Sequence, residues 1–184
     1  MKPTLRRSRS RATVLTGAAT LAALTAGVVG AVSATANSPA PAAVSAPAST
    51  TTQTTHLTED AALKAAQAAL SAATKAGQHV SVAVVDRDGN TVLTLRGDGA
   101  GPQSYTSAQE KAYTAVSWNA PTSVLAGRLA QTPTLKDIPG TLFLAGGVPV
   151  DAKSAPIAGI GVAGAPSGDQ DETFAAAGAA ALGR

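Results

Sequence analysis

The chain has 184 residues, of which 45% are hydrophobic, 14% charged and 3% aromatic. That is enough apolar material for one folded domain and too much for a disordered chain, and the absence of cysteine excludes a disulfide scaffold, thiolate metal sites and a cysteine nucleophile. The net charge of +3 belongs to the N-terminus: five basic residues precede residue 12, and from Leu57 onward nine basic residues face all eleven acids, which leaves no basic patch with interleaved aromatics for nucleic acid.

Residues 1–36 read as an export signal. Lys2, Arg6, Arg7, Arg9 and Arg11 lead into an apolar run that reaches Val32, and Ala34-Thr35-Ala36 supplies the small residues a signal peptidase accepts. Cleavage is therefore expected after Ala36, and a secreted, extracellular location with it. Arg6-Arg7 resembles a twin-arginine signal, with general secretion as the alternative. A retained transmembrane helix is the competing reading, but the Ala, Gly and Thr content makes the run weakly hydrophobic. Residues 37–56 are Pro, Ala, Ser and Thr with one histidine and no charged side chain, the composition of a flexible linker. The folded unit is then 57–184.

Thr58 caps a first helix, with Glu59 and Asp60 in its first turn and Gly77 at its end. Its apolar face is predicted as Ala62, Ala66, Leu70 and Ala73, with Leu63 and Ala69 beside it. A strand over 79–86, a turn at 87–90 using positive φ at Asp88-Gly89-Asn90, and a strand over 91–96 form a hairpin. A helix follows with Tyr105, Gln109, Ala112 and Val116 on one stripe and Glu110-Lys111 on a solvated face. Pro121 ends it and begins a shorter helix. A strand over 141–147, a further extended piece from Val148, a strand over 156–164 and a last helix from Asp169 to Leu182 complete the chain. The order α-β-β-α-α-β-β-α predicts an α+β fold with one mostly antiparallel sheet covered by helices.

Few residues carry chemistry. Gly159, Gly161 and Gly164 match the dinucleotide-binding spacing, but they lie inside a strand and no acid follows at the required distance. Glycine on one strand face, admitting a helix or a flat ligand, is the better reading. His56 lies in the linker and His79 at a strand entrance, too few for a three-ligand metal site. Asp169 and Glu172 stand one helical turn apart, where they can share a hard cation or simply complement the helix dipole.

Several stretches taken together carry a resemblance. "IPGTLFLAGGVPV", "IAGIGVAGAPSGDQDETFAAAGAAAL", "VAVVDRDGN" and "SAQEKAYTA" resemble the GlcG/HbpS family of haem-binding proteins, over nearly all of residues 57–184. The resemblance implies an α-β-α sandwich, a homo-oligomer (an octamer in secreted members), haem as cofactor with iron ions as a second ligand, and a membrane sensor kinase of a two-component system as partner. By motif position it implies Thr141 as the residue contacting haem iron, with Phe143 beside it. His79 and Tyr113 compete for that role, and Asp169 and Glu172 become an iron-binding pair, with Glu110 the acid of the middle helix. A threonine hydroxyl is a weak ligand, which suits reversible haem buffering or sensing better than electron transfer. Two alternatives stand beside it: an oligomerising structural module without haem, and a haem-dependent peroxidase-like enzyme, for which the sequence offers no distal acid–base pair.

Overall fold

The structure is a computed structural model and describes residues 43–183. The export signal and the first part of the linker lie outside the described residues. From 43 to 58 the chain is exposed apart from Leu57 and carries one 3₁₀ turn, Ala48–Thr50. Among the described residues no helix is long and apolar enough to cross a membrane.

Helix α1 (Glu59–Lys75) starts where the Thr58 hydroxyl accepts from the Ala61 N–H at 3.3 Å. It stops at Gly77, whose φ of +70° lets Gln78 N–H return to the Ala73 carbonyl at 2.9 Å. Its buried side chains are all alanine: Ala62, Ala65, Ala66, Ala69 and Ala73. The buried face is thus turned from the predicted one toward Ala65, and Leu63 is 39% exposed. The partner sets this rotation. Helix α4 (Gly168–Leu182) brings Gly178 so near α1 that a Cβ there would lie 2.7 Å from the Ala65 carbonyl oxygen.

Four strands, β1 (Ser81–Asp86), β2 (Thr91–Arg96), β3 (Gly147–Ala152) and β4 (Ala155–Ala163), form one sheet in the order β2-β1-β4-β3, with every neighbouring pair antiparallel. Period-two alternation sorts the side chains by face. Val82, Val84, Ala158, Ile160 and Val162 meet α1 and α4, while Ala83, Val85 and Ala163 meet α2 (Pro102–Trp118). Helices on both faces of the sheet make the α-β-α sandwich that the sequence led us to expect. Gly147, Gly159 and Gly161 lie under α2, where a Cβ on any of them would run into the carbonyl oxygen of Lys111, Ala112 or Ala108 respectively. The strand glycines therefore admit a helix, one of the two readings drawn from their spacing.

Three local expectations need correction. Residues 141–146 are not a strand, and β3 begins at Gly147. Their backbone donors are taken by side chains instead of a neighbouring strand: Leu142 N–H reaches the Thr114 hydroxyl at 2.8 Å and Gly146 N–H reaches Glu172 at 3.1 Å. In the β1–β2 turn only Gly89 takes positive φ, because the Asp86 carboxylate accepts from Asp88 N–H and Asn90 N–H at 2.9 and 2.8 Å and organises the turn itself. The turn that places two residues at positive φ is Lys153-Ser154, between β3 and β4. Finally, Lys111 is not on a solvated face. The buried residues of α2 are Ser104, Ala108, Lys111, Ala112, Thr114, Ala115 and Val116, so Ala112 and Val116 of the predicted stripe are buried and Tyr105 is exposed.

Candidate functional site

The segment joining helix α3 (Thr122–Arg128) and the 3₁₀ turn Pro133–Asp137 to β3 carries Thr141 and Phe143. Thr141 is half-buried, and its hydroxyl donates to the Ile138 carbonyl at 2.7 Å, which leaves the oxygen lone pairs available to an acceptor of electrons. Phe143 is buried edge-on against Trp118, with ring centroids 5.2 Å apart. Ile138 and Leu144 on either side are exposed.

Both ends of the segment are pinned. Thr114 of α2 holds Leu142. At the other end Glu172 of α4 accepts from Gly146 N–H, from Ser123 N–H at 2.9 Å and from the hydroxyls of Ser123 and Thr122. One carboxylate thus caps the start of α3 and fixes the entry to β3. Glu172 was expected as half of an iron-binding pair. The structure gives both of its oxygens to donors of the chain, while Asp169 is exposed at the start of α4.

Tyr113 and Glu110 come together. They line a cavity of about 210 Å³ with Val85, Gly89, Thr91, Gln109 and Gly140, the residue before Thr141. The Tyr113 ring also backs the β1–β2 turn, since a Cβ on Gly89 would lie 2.9 Å from it. His79 stands elsewhere. It is exposed, its Nδ1 is 2.7 Å from the Asp98 carbonyl, and it lines a different cavity with Leu70, Thr74, Arg96, Gly97 and Asp98. The candidate residues therefore fall into three groups: Thr141 with Phe143, Tyr113 with Glu110 close by, and His79 apart.

Sequence reasoning missed a buried ion pair between the two helical layers. Lys111 Nζ lies 2.8 Å from Asp171 Oδ2 and 3.1 Å from the Val162 carbonyl, and Asp171 Oδ1 accepts from Ala165 N–H at 3.0 Å. Burial pushes the Asp171 carboxyl above its ordinary value, although Lys111 and the backbone donors pull the other way. The signal was present in the sequence, because Lys111 falls one turn from Ala108 and Ala115 on the alanine stripe.

A cavity of about 210 Å³ is smaller than the roughly 300–1,000 Å³ that encloses a drug-sized ligand. A haem at Thr141 would therefore lie against this surface instead of inside the fold. The donor set fits such a contact, with a hydroxyl beside exposed apolar side chains on a fixed backbone.

The comparisons with known proteins agree with this architecture. A family model described as "Haem degrading protein HbpS-like" matches residues 57–180. Crystal structures of HbpS, one of them a double mutant of the Streptomyces reticuli protein, are 74% identical to this chain. The double mutant covers 79% of this chain and 100% of its own, with a TM-score of 0.78. The Klebsiella pneumoniae protein ORFY is 27% identical over 73% of this chain and 95% of its own, with a TM-score of 0.69. A PduOC:heme complex is 25% identical over 69% and 95%, with a TM-score of 0.64. No curated protein matches. With the family model running from the start of α1 into α4, the chain belongs to the HbpS-like family.

Proposed function

We propose that this chain is a secreted haem-binding protein that takes up haem reversibly on the Thr141 segment, as a haem buffer or as the accessory sensor of a membrane kinase. The observation that carries the proposal is the segment 141–146, which is not part of the sheet yet is fixed at both ends by Thr114 and Glu172. Fixing it holds the Thr141 oxygen and the exposed Leu144 side chain in place before any ligand arrives, so little ordering entropy is lost on binding. A relative of this fold crystallised with heme supports the choice of ligand. Haem supplies the iron centre. Thr141 would offer it a weak oxygen ligand, and Tyr113 from the neighbouring cavity is the second candidate. A homo-oligomer fits this reading, because one subunit offers only a surface and a second copy would cover the other side of the macrocycle.

A haemin titration of the protein followed in the Soret region tests the proposal. A saturable shift that weakens or changes form in Thr141→Ala is expected. An unchanged titration in Thr141→Ala moves the ligand to Tyr113 or His79, and the absence of a saturable shift in the parent rejects haem binding. Peroxide and a reductant added to the loaded protein separate buffering from turnover: many equivalents of reductant oxidised per chain, faster than with free haemin, would make the chain an enzyme. Iron binding by Asp169 is tested by Asp169→Ala alone, because removing Glu172 also releases Ser123 and Gly146.

A further inference from the structure

Side-chain hydroxyls crowd the stretch that leads into the fold. Residues 49–55 read STTTQTT, so Ser49, Thr50, Thr51, Thr52, Thr54 and Thr55 surround one glutamine, shortly after Pro47. All of them are exposed. Thr50 and Thr51 donate to the Pro47 and Ala48 carbonyls at 2.8 and 3.1 Å. The hydroxyls of Ser49, Thr52, Thr54 and Thr55 have no partner among the described residues. In the helices and before β3, by contrast, Thr74, Thr114, Thr141 and Thr173 give their protons to carbonyls three or four residues back. The run also buries nothing. Val44, the bulky apolar side chain of the stretch, is 96% exposed, and the chain first packs on the core at Leu57.

We propose that residues 49–55 are a site of O-glycosylation, at which an extracytoplasmic transferase places hexose on the free hydroxyls. Serine and threonine in a run with proline are the composition of O-glycosylated stalks. The repeated hydroxyls contribute no packing and no ion pair, and their accessibility is what a transferase requires. The backbone supports this as well. Pro47 and Thr51, on either side of the single 3₁₀ turn Ala48–Thr50, are extended, with ψ of 149° and 152°. The segment can therefore enter an enzyme groove while the core beyond Leu57 stays folded. Attachment to asparagine is excluded by the sequence, because Pro39, Val92 and Pro121 stand two residues after Asn37, Asn90 and Asn119, where the N-linked signal needs serine or threonine.

The proposal rests on the export reading, which brings the hydroxyls to the outer side of a membrane. Sugar nucleotides are confined to the cytoplasm, so the co-reactant there is a hexose carried on a polyprenyl phosphate. The hydroxyl oxygen attacks the anomeric carbon and forms the new C–O bond. The bond from that carbon to the phosphate oxygen breaks, polyprenyl phosphate leaves with the electron pair, and the hydroxyl proton passes to a base of the transferase. The product suits the place of the segment. An exposed stretch of small polar residues next to a folded domain is where proteolysis concentrates, and sugars on neighbouring residues would screen its peptide bonds from a protease.

The test expresses the full chain in Streptomyces reticuli, the source of one HbpS relative, and weighs the intact protein recovered from the medium. A variant with Ser49, Thr50, Thr51, Thr52, Thr54 and Thr55 all changed to alanine is treated alike. These positions are exposed, and the variant leaves Leu57 and the Thr58 cap in place. The parent is expected to exceed its sequence mass in steps of one hexose, with the sugar on the peptide that contains residues 49–55, and the variant to lose that excess. Parent protein in the medium at its bare sequence mass overturns the proposal and leaves the export reading standing. An excess that persists undiminished in the variant overturns the assignment to this segment. Retention of the parent in the cells overturns the export reading and the proposal with it.

Discussion

A lysine with 2% of its surface exposed is held between a carboxylate 2.8 Å away and a carbonyl that takes a second N–H. Desolvating both charges costs several kcal/mol, which the pair's attraction only offsets. Removing one partner should therefore hurt far more than removing both. Lys111→Met is expected to lower stability by about 3–5 kcal/mol, because it leaves the Asp171 carboxyl buried without its cation. Lys111→Met with Asp171→Asn is expected to recover more than half of that, since an amide can still accept from Ala165 N–H. Urea denaturation of the parent and the two variants measures the difference. Glu172 plays a comparable part with uncharged partners, joining α4 to α3 and to the Thr141 segment through one side chain.

The three glycines under α2 set the distance between helix and sheet. Gly161→Ala would press a methyl group into the Ala108 carbonyl, which can move only if α2 lifts. A loss of about 3 kcal/mol, the upper end of what overpacking costs, is expected by thermal or urea unfolding. Gly127→Ala in α3, with nothing within 4 Å, is the control and should gain about 0.5–1 kcal/mol. The elements were legible where periodicity and punctuation agreed. Thr58 and Gly77 bound α1, and alternating valines mark β1. They were illegible where a distant side chain decided the outcome. "TLFLAGG" has the composition of a strand, but Thr114 and Glu172, far along the chain, take its donors. In the candidate site, Thr141 and Phe143 were found through the run of residues around them. The place of Lys111 on the alanine stripe of α2 marks it as buried, but its pairing with Asp171 depends on a contact between elements that no local pattern states.

For the molecule as a whole, two carboxylates act oppositely on acid stability. The Asp86 carboxyl is partly desolvated, which raises its pKa, but donors from Asn90 and Asp88 and the nearby His56 outweigh this and hold it below its ordinary value of 3.8. The folded form therefore binds its proton more weakly than the unfolded chain does. Its stabilisation is present above the ordinary value and is lost as pH falls through the lower folded one. Asp171, raised by burial, has the opposite sign and gives up stability as pH rises from the ordinary value through its folded one. In Asp86→Asn the stability gap to the parent should shrink as pH falls below the ordinary value of 3.8 and through the lower folded one, read from urea midpoints. Both borders of the sheet are irregular. Among the described residues its outer strands are β2 and β3. Pro149 in β3 offers no N–H to a strand laid alongside, and a register shift follows at Val150/Asp151. The pairing of β2 also shifts register, opposite Val84/Val85, with Val92 the extra residue. Neither border therefore offers a newcomer an unbroken row of donors and acceptors, and lengthening of the sheet from molecule to molecule is disfavoured at both ends.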